Sequence, residues 1–359
     1  MFIFTLRLFS AFFKAVTGTN PHFKVNYSSE DAYIMCENIN RIFLQERVSA
    51  MGKALLIVNP SSGKEKGKTY QGKTEEVLKK RYDEVEVRLT EKAGDATEFA
   101  SWASEQGFDA VIAMGGDGTL NETINGLAIH EKRPDFGFIP LGTVNDLARS
   151  VGIPLKPEKA IQALEKAKAI PMDIGRIGDQ YFMNVLAIGM IAQAVDQVSV
   201  EQKTKFGSVA YFLEGLKAFN RNELLHFKLE YDEEVWEGEA ALVVAGLTKS
   251  VGGMESWAPD AKIDDGYLHV IVLTKLGLLD AANMIPQLIR GNLKNSDGVV
   301  YIKTKKLTID ASGDDLSINV DGDPGPGVPA EIEVLGSHLN ILAPKKSSQK
   351  RFGPFILKK

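Results

Sequence analysis

The sequence predicts an α/β domain with a parallel sheet and helices on both faces, followed by a β-rich, sandwich-like domain. Three observations carry this. From residue 53 to about residue 140, buried-type apolar runs alternate with helical stretches, a pattern that builds parallel sheets. From residue 180 onward the chain breaks into short β-type runs separated by turn residues. In the first half, the loops at 59–63, 90–95, 115–119 and 140–146 all fall at the carboxyl ends of strands, where such sheets bind ligands.

Taken in order, residues 54–58 read as a buried strand, followed by the turn-rich Asn59-Pro60-Ser61-Ser62-Gly63-Lys64. Val85, Val87 and Leu89 alternate with charged residues, as a half-buried strand requires. Asp95 precedes a helix whose third residue is Glu98, a capping-box arrangement; that helix runs to about Gln106 and ends at Gly107. Residues 110–114 form a second buried-type strand, and Leu120, Ile124 and Leu127 then recur at helical spacing. A further strand is expected at 136–140. The character changes near Pro171. Strands are expected at 181–187, 227–231, 240–245, 267–273, 306–310 and 316–320, with helical insertions at 205–220 and 278–290. A last strand, 338–342, is expected to return to the first domain.

These readings divide the chain into a leader (1–50), an α/β domain (51–175, with a C-terminal return at 336–344), a β-sandwich domain (176–335) and a basic tail (345–359). Residues 1–16 are aromatic-rich and apolar, but Arg7 and Lys14 interrupt them and they are too short to span a bilayer. A fresh start appears at Met51, directly before a strand. The expectation is that the native protein begins there and the leader is extraneous or disordered; a membrane-surface anchor is the rival reading. The tail carries six basic residues, no acid, and Phe352, Phe355, Ile356 and Leu357, a composition for a disordered tail or a weak contact with an anionic membrane.

With 359 residues, 44% hydrophobic and 25% charged, the composition is that of an ordinary globular protein. A formal net charge of −5 argues against a dedicated nucleic-acid binder. Cys36 is the single cysteine, which excludes a disulfide framework within the chain and fits a reducing cytosol.

The chemistry concentrates at Gly115-Gly116-Asp117-Gly118-Thr119-Leu120-Asn121. A strand feeding a helix through glycines leaves unpaired backbone N–H groups at the positive helix end, a seat for phosphate. Asp117 inside that turn would repel a phosphate unless Mg²⁺ or water intervenes. The 59–63 loop is not a Walker motif, because Val58 stands where that motif needs glycine and Glu65 follows Lys64. Gly142-Thr143-Val144-Asn145-Asp146 is a third glycine-bearing loop at the same edge, and Asp146 a second carboxylate there, or simply a helix cap.

In order and spacing, the three loops resemble the bacterial diacylglycerol kinase and lipid kinase family, related to sphingosine kinases. The likeness runs from about Met51 to Pro344. It implies a two-domain kinase with its active site in the cleft between a nucleotide-binding domain and a β-sandwich. ATP is then expected at Asn59, Pro60, Ser61, Ser62, Gly63, Thr90, Gly115, Gly116, Asp117, Gly118, Thr119, Leu120, Asn121 and Thr143. Asp117, Asp146 and Asp173 match a carboxylate and water network for the catalytic Mg²⁺. The run Pro259–Tyr267 matches a second metal loop, with Asp265 and the carbonyls of Lys262 and Tyr267 as ligands, either Mg²⁺ or Ca²⁺. Val320-Asp321-Gly322-Asp323 matches the family's Asp-Gly-acid motif, whose last carboxylate takes the proton from the lipid hydroxyl. The family often has glutamate there; Asp323 is shorter by about 1.5 Å.

The resemblance implies ATP-dependent phosphorylation of a membrane lipid alcohol such as diacylglycerol, by a cytoplasmic enzyme peripheral to the inner membrane face. It also allows a homodimer. Phe206, Tyr211, Phe212, Leu216 and Phe219 either line an acyl-chain entrance or pack as core. A soluble NAD kinase shares the Gly-Gly-Asp-Gly element, and a non-catalytic lipid or nucleotide binder is the remaining alternative.

Overall fold

The structure is a computed structural model describing residues 52–65, 67–189, 224–255, 257–274, 287, 291–313 and 316–344. The leader, the 205–220 insertion with its aromatics, the tail, and 278–290 apart from Gln287 lie outside the described residues.

The first half runs β1 (Lys53–Val58), α1 (Ser62–Glu65), α2 (Gly67–Leu78), β2 (Glu84–Leu89), α3 (Asp95–Glu105), β3 (Ala110–Gly115), α4 (Asp117–Ala128), β4 (Asp135–Pro140), α5 (Asp146–Val151) and α6 (Pro157–Leu164). Then come β5 (Lys168–Ile177), β6 (Gln180–Phe182), β7 (Val185–Ile188), β8 (Leu225–Tyr231), β9 (Glu234–Ala240), β10 (Leu242–Gly246), β11 (Leu268–Leu273), β12 (Val299–Thr304), β13 (Lys306–Ala311), β14 (Ser317–Val320), β15 (Asp323–Gly327) and β16 (Ala330–Ala343).

Strands β2-β1-β3-β4 are parallel, and β16 joins them in parallel at Ile341 opposite Phe136. The sheet does not stop there. It continues through antiparallel β13, β8 and β9, with β5 and β6 attached to β16, to make ten strands. A second, six-stranded antiparallel sheet runs β12-β11-β10-β7-β14-β15. Leu186, Ile188, Phe227, Leu229, Val270 and Ile318, all buried, fill the space between the two sheets. In the first half residues 54–58 of β1 and all of β3 are buried, as their unbroken apolar runs require. Helices α3 and α4 pack on each other, as do α2 and α6. Leu120, Ile124 and Leu127 form the buried stripe of α4.

Several details differ from the sequence expectation. Asp95 does not cap α3. Gly94 holds the cap position, and Asp95 Oδ2 turns back to accept the N–H groups of Glu91 (2.7 Å) and Lys92 (3.0 Å). Those two donors hold its carboxyl below the usual carboxylate range. The expected strand 181–187 is two strands, β6 and β7, in different sheets. The return strand spans 14 residues rather than five, because it serves both sheet regions. Strands β9, β12 and β15 were not anticipated. β9 and β15 are polar or proline-bearing edge strands, which carry a weak apolar signal.

Candidate active site

The 59–63, 115–119 and 142–146 loops follow β1, β3 and β4, three adjacent parallel strands, so the sheet itself brings them together. Asn59 binds β3 through its N–H to the Met114 carbonyl (2.9 Å), and its Nδ2 donates to Thr119 Oγ1 (3.0 Å). Its Oδ1 accepts the Ser61 N–H at 3.0 Å, which shapes the turn through Pro60. Thr90 joins the same edge, its N–H donating to the Val58 carbonyl at 2.9 Å. The backbones of Gly116 and Gly142 touch: a Cβ on Gly142 would lie 2.9 Å from Gly116 Cα. Only glycine permits that approach.

Asn145, in the left-handed region at φ 55°, closes the third loop. Its side chain bonds both the N–H (3.0 Å) and the carbonyl (2.7 Å) of Gly142, and its own N–H donates to Asp117 Oδ2 at 2.9 Å. Thr143 is exposed at the tip. Asp117 Oδ1 is buried with no partner among the described residues. Burial pushes the Asp117 carboxyl up, the nearby charge of Asp146 adds to this, and the Asn145 N–H opposes it. An unpartnered, enclosed carboxylate oxygen where these loops meet fits a magnesium ion, which keeps several waters and needs only one or two carboxylates.

The other two expected network members are already engaged. Asp146 Oδ1 accepts from Ser250 Oγ (2.6 Å) and the Gly253 N–H (2.8 Å), and Oδ2 from the Gly252 N–H (2.7 Å). It therefore ties the 250–253 loop to the phosphate edge. Asp173 Oδ1 accepts the Ser337 N–H (2.7 Å) and Oδ2 the Gly266 N–H (2.6 Å). Burial pushes its carboxyl up, and the acids that add to this are Asp265 and Asp264. The structure thus groups Asp146 with Asp117, and Asp173 with the 262–267 loop.

In that loop both oxygens of Asp265 already have hydrogen-bond partners. Asp265 Oδ1 accepts the Tyr267 N–H (3.1 Å), and Oδ2 faces the Lys262 N–H (3.4 Å), His269 Nε2 (3.1 Å) and the Lys303 ammonium (3.7 Å). His269 is fully buried, and its Nδ1 lies 2.6 Å from the Tyr301 hydroxyl. Burial holds the imidazole pKa down, so a neutral ring donates from Nε2 to the carboxylate and accepts from Tyr301. Hard cations take oxygen ligands, and this set surrounds Asp265 with N–H groups and a lysine.

Asp321 has the largest role that sequence reasoning missed. Its Oδ2 accepts from the Met183 N–H (2.7 Å) and Asn121 Nδ2 (3.1 Å), its Oδ1 from the N–H groups of Asn184 (3.0 Å) and Val185 (2.8 Å). The residue as a whole is half-buried, but protein atoms enclose its carboxyl, and that burial pushes it up to about 7 against the pull of those N–H groups. The signal in the sequence was its place two residues before Asp323, which is exposed at the start of β15.

Comparison with known proteins matches both halves of the chain. A family described as "Diacylglycerol kinase catalytic domain" matches residues 53–177, and one described as "YegS C-terminal NAD kinase beta sandwich-like domain" matches residues 184–343. The chain is 36% identical to a diacylglycerol kinase of Staphylococcus carnosus over 293 residues, covering 82% of this chain and 95% of the relative. It is 35% identical to a diacylglycerol kinase of Bacillus subtilis, covering 84% of this chain and 99% of that one. A crystal structure of a putative diacylglycerol kinase from Bacillus anthracis superimposes with a TM-score of 0.72 at 30% identity, covering 81% of this chain and 95% of the other. With both halves matched, the chain belongs to the diacylglycerol kinase family of lipid kinases.

Proposed function

We propose that this enzyme transfers the γ-phosphoryl group of ATP to the hydroxyl of a membrane lipid such as diacylglycerol. The observation that carries the reading is the meeting of three glycine-bearing loops at the ends of β1, β3 and β4 around the unpartnered Asp117 Oδ1. The first N–H groups of α4 have no partners within the helix and receive phosphate oxygens. Asn59, the 59–63 loop, Thr90 and Thr143 line the same edge. Asp117 would hold Mg²⁺, with Asp146 beside it and Asp173 acting through the backbone it ties down. The ion would supply charge neutralisation for the transferring phosphates. Asp323 accepts the proton of the lipid hydroxyl as it attacks in line, help worth about 10²–10⁴-fold. Among the described residues no helix is long and apolar enough to cross a membrane, and in this reading the lipid is met at the membrane surface.

The test is incubation of the purified protein with labelled ATP and Mg²⁺. Mixed micelles of diacylglycerol, undecaprenol, phosphatidylglycerol or a sphingoid base are supplied separately, with NAD as a further arm because the second-half family is described as NAD kinase-like. Label in a lipid is expected. Label in NAD alone overturns the lipid assignment. Asp323→Ala should lower turnover by about 10²-fold or more, and unchanged turnover would reject its role as base.

A further inference from the structure

We infer that Asn121 and Asn125 of α4 act through Asp321 as a positioning seam. The seam sets the turn carrying Asp323 at a fixed place relative to the phosphate-binding end of the same helix. The inference rests on the reading of Asp323 as the base.

Helix α4 begins at Asp117, so Asn121 and Asn125 stand one and two turns further along the same face. Asn125 pairs with β6 in both directions: its Oδ1 accepts the Tyr181 N–H (2.9 Å) and its Nδ2 donates to the Tyr181 carbonyl (2.8 Å). The second hydrogen of Asn125 Nδ2 is shared between the Asn121 carbonyl (3.0 Å) and side-chain Oδ1. With Oδ1 of Asn121 so engaged, its Nδ2 is turned toward Asp321, a carboxylate that can only accept when ionised.

Asp321 in turn grips residues 183–185, where the chain leaves the ten-stranded sheet for the six-stranded one. Its own N–H donates back to the Val185 carbonyl at 2.9 Å, so the turn is locked to that crossing from both sides. Asp321 and Gly322 both have positive φ, 51° and 101°, which makes the turn compact. Asp323 follows at once. A residue 200 positions away in sequence, Asn121, therefore links the helix of the phosphate seat to the proton acceptor's turn. In-line transfer depends on that separation, because displacement of about 1 Å at a reacting group can cost 10²-fold in rate.

The test is a double-mutant cycle read in kcat, with labelled ATP and diacylglycerol mixed micelles. Asn121→Ala should lower kcat by about ten- to a hundredfold with little change in the KM for ATP. In an Asp323→Ala background the same substitution should cost nothing more, since there is no base left to position. Asn125→Ala, which leaves Asn121 in place but frees its amide, should give a smaller loss of the same kind, also abolished by Asp323→Ala. Melting curves of each variant separate misfolding from misplacement, and Asn125→Ala serves if Asn121→Ala does not fold. Losses that multiply with that of Asp323→Ala, or a change confined to the KM for ATP, would overturn the seam. Wild-type turnover of Asp323→Ala would instead reject the base, and the seam with it.

Discussion

The N–H of Asn145 donates to Asp117 Oδ2 at 2.9 Å, which welds the 142–146 loop to the first turn of α4 and leaves Asp117 Oδ1 buried with no partner among the described residues. One oxygen of the carboxylate is structural, and in the proposed mechanism the other is the magnesium ligand. Asp117→Asn should therefore keep the Asn145 contact through its amide oxygen and still fold. It should lose about 10²-fold or more in turnover, because an amide is a poor ligand for Mg²⁺. Melting temperature, turnover and Mg²⁺ titration of the variant check this; loss of fold rather than of turnover would assign Asp117 a structural role.

The contact between Gly116 and Gly142 should tolerate no side chain. The Cβ of Gly142→Ala would also meet Asn145 Oδ1 at 2.8 Å, so the loop must shift. A loss of about 1–3 kcal/mol in stability is expected, typical of overpacking, with weakened ADP binding. Calorimetry of unfolding and of ADP titration reads both.

Asp321 should make stability fall as pH rises. Its carboxyl lies at about 7 in the folded protein against an ordinary 3.8, so folding favours the protonated form. That contribution is complete below the ordinary value and is lost as pH climbs through about 7. Relative to Asp321→Asn, which cannot titrate, the wild type should lose up to about 1.4 kcal/mol per pH unit inside that window. Denaturant unfolding of both proteins across the window measures it; a difference that does not change with pH would contradict it.

The 262–267 loop should hold its shape without a divalent cation. Stripping metals with EDTA is expected to leave the melting temperature unchanged in the absence of nucleotide. His269→Ala removes the buried donor to Asp265 and should destabilise by about 1–3 kcal/mol. A cation retained at Asp265 after dialysis, detected by elemental mass spectrometry, would show that oxygens replace nitrogens around it.

The sequence disclosed the parallel strands because β1 and β3 are buried on both faces and read as unbroken apolar runs. The meeting of the three loops was legible for a related reason: a backbone approach as close as that of Gly116 and Gly142 leaves few alternatives to glycine. What stayed hidden was long-range. Nothing local marks Asp146 as a clamp for Ser250 and Gly253, or Asp95 as a loop acceptor rather than a cap. Either oxygen can satisfy several donors, and the tertiary fold selects which. The division of residues 181–187 into two strands was equally hidden, since the apolar pattern continues across Met183 and Asn184 while the donors that break it are claimed by an aspartate far along the chain.

Strand β16 belongs to both halves at once: its end near Ile341 lies beside β4, its start near Ile332 beside β13, and β5 follows it along both stretches. Nothing like a flexible tether separates the two regions along this ribbon. Its one irregularity, between Leu335 and Leu339, contains Ser337, whose N–H is held by Asp173. Heat or denaturant should consequently melt the two halves as a single cooperative unit.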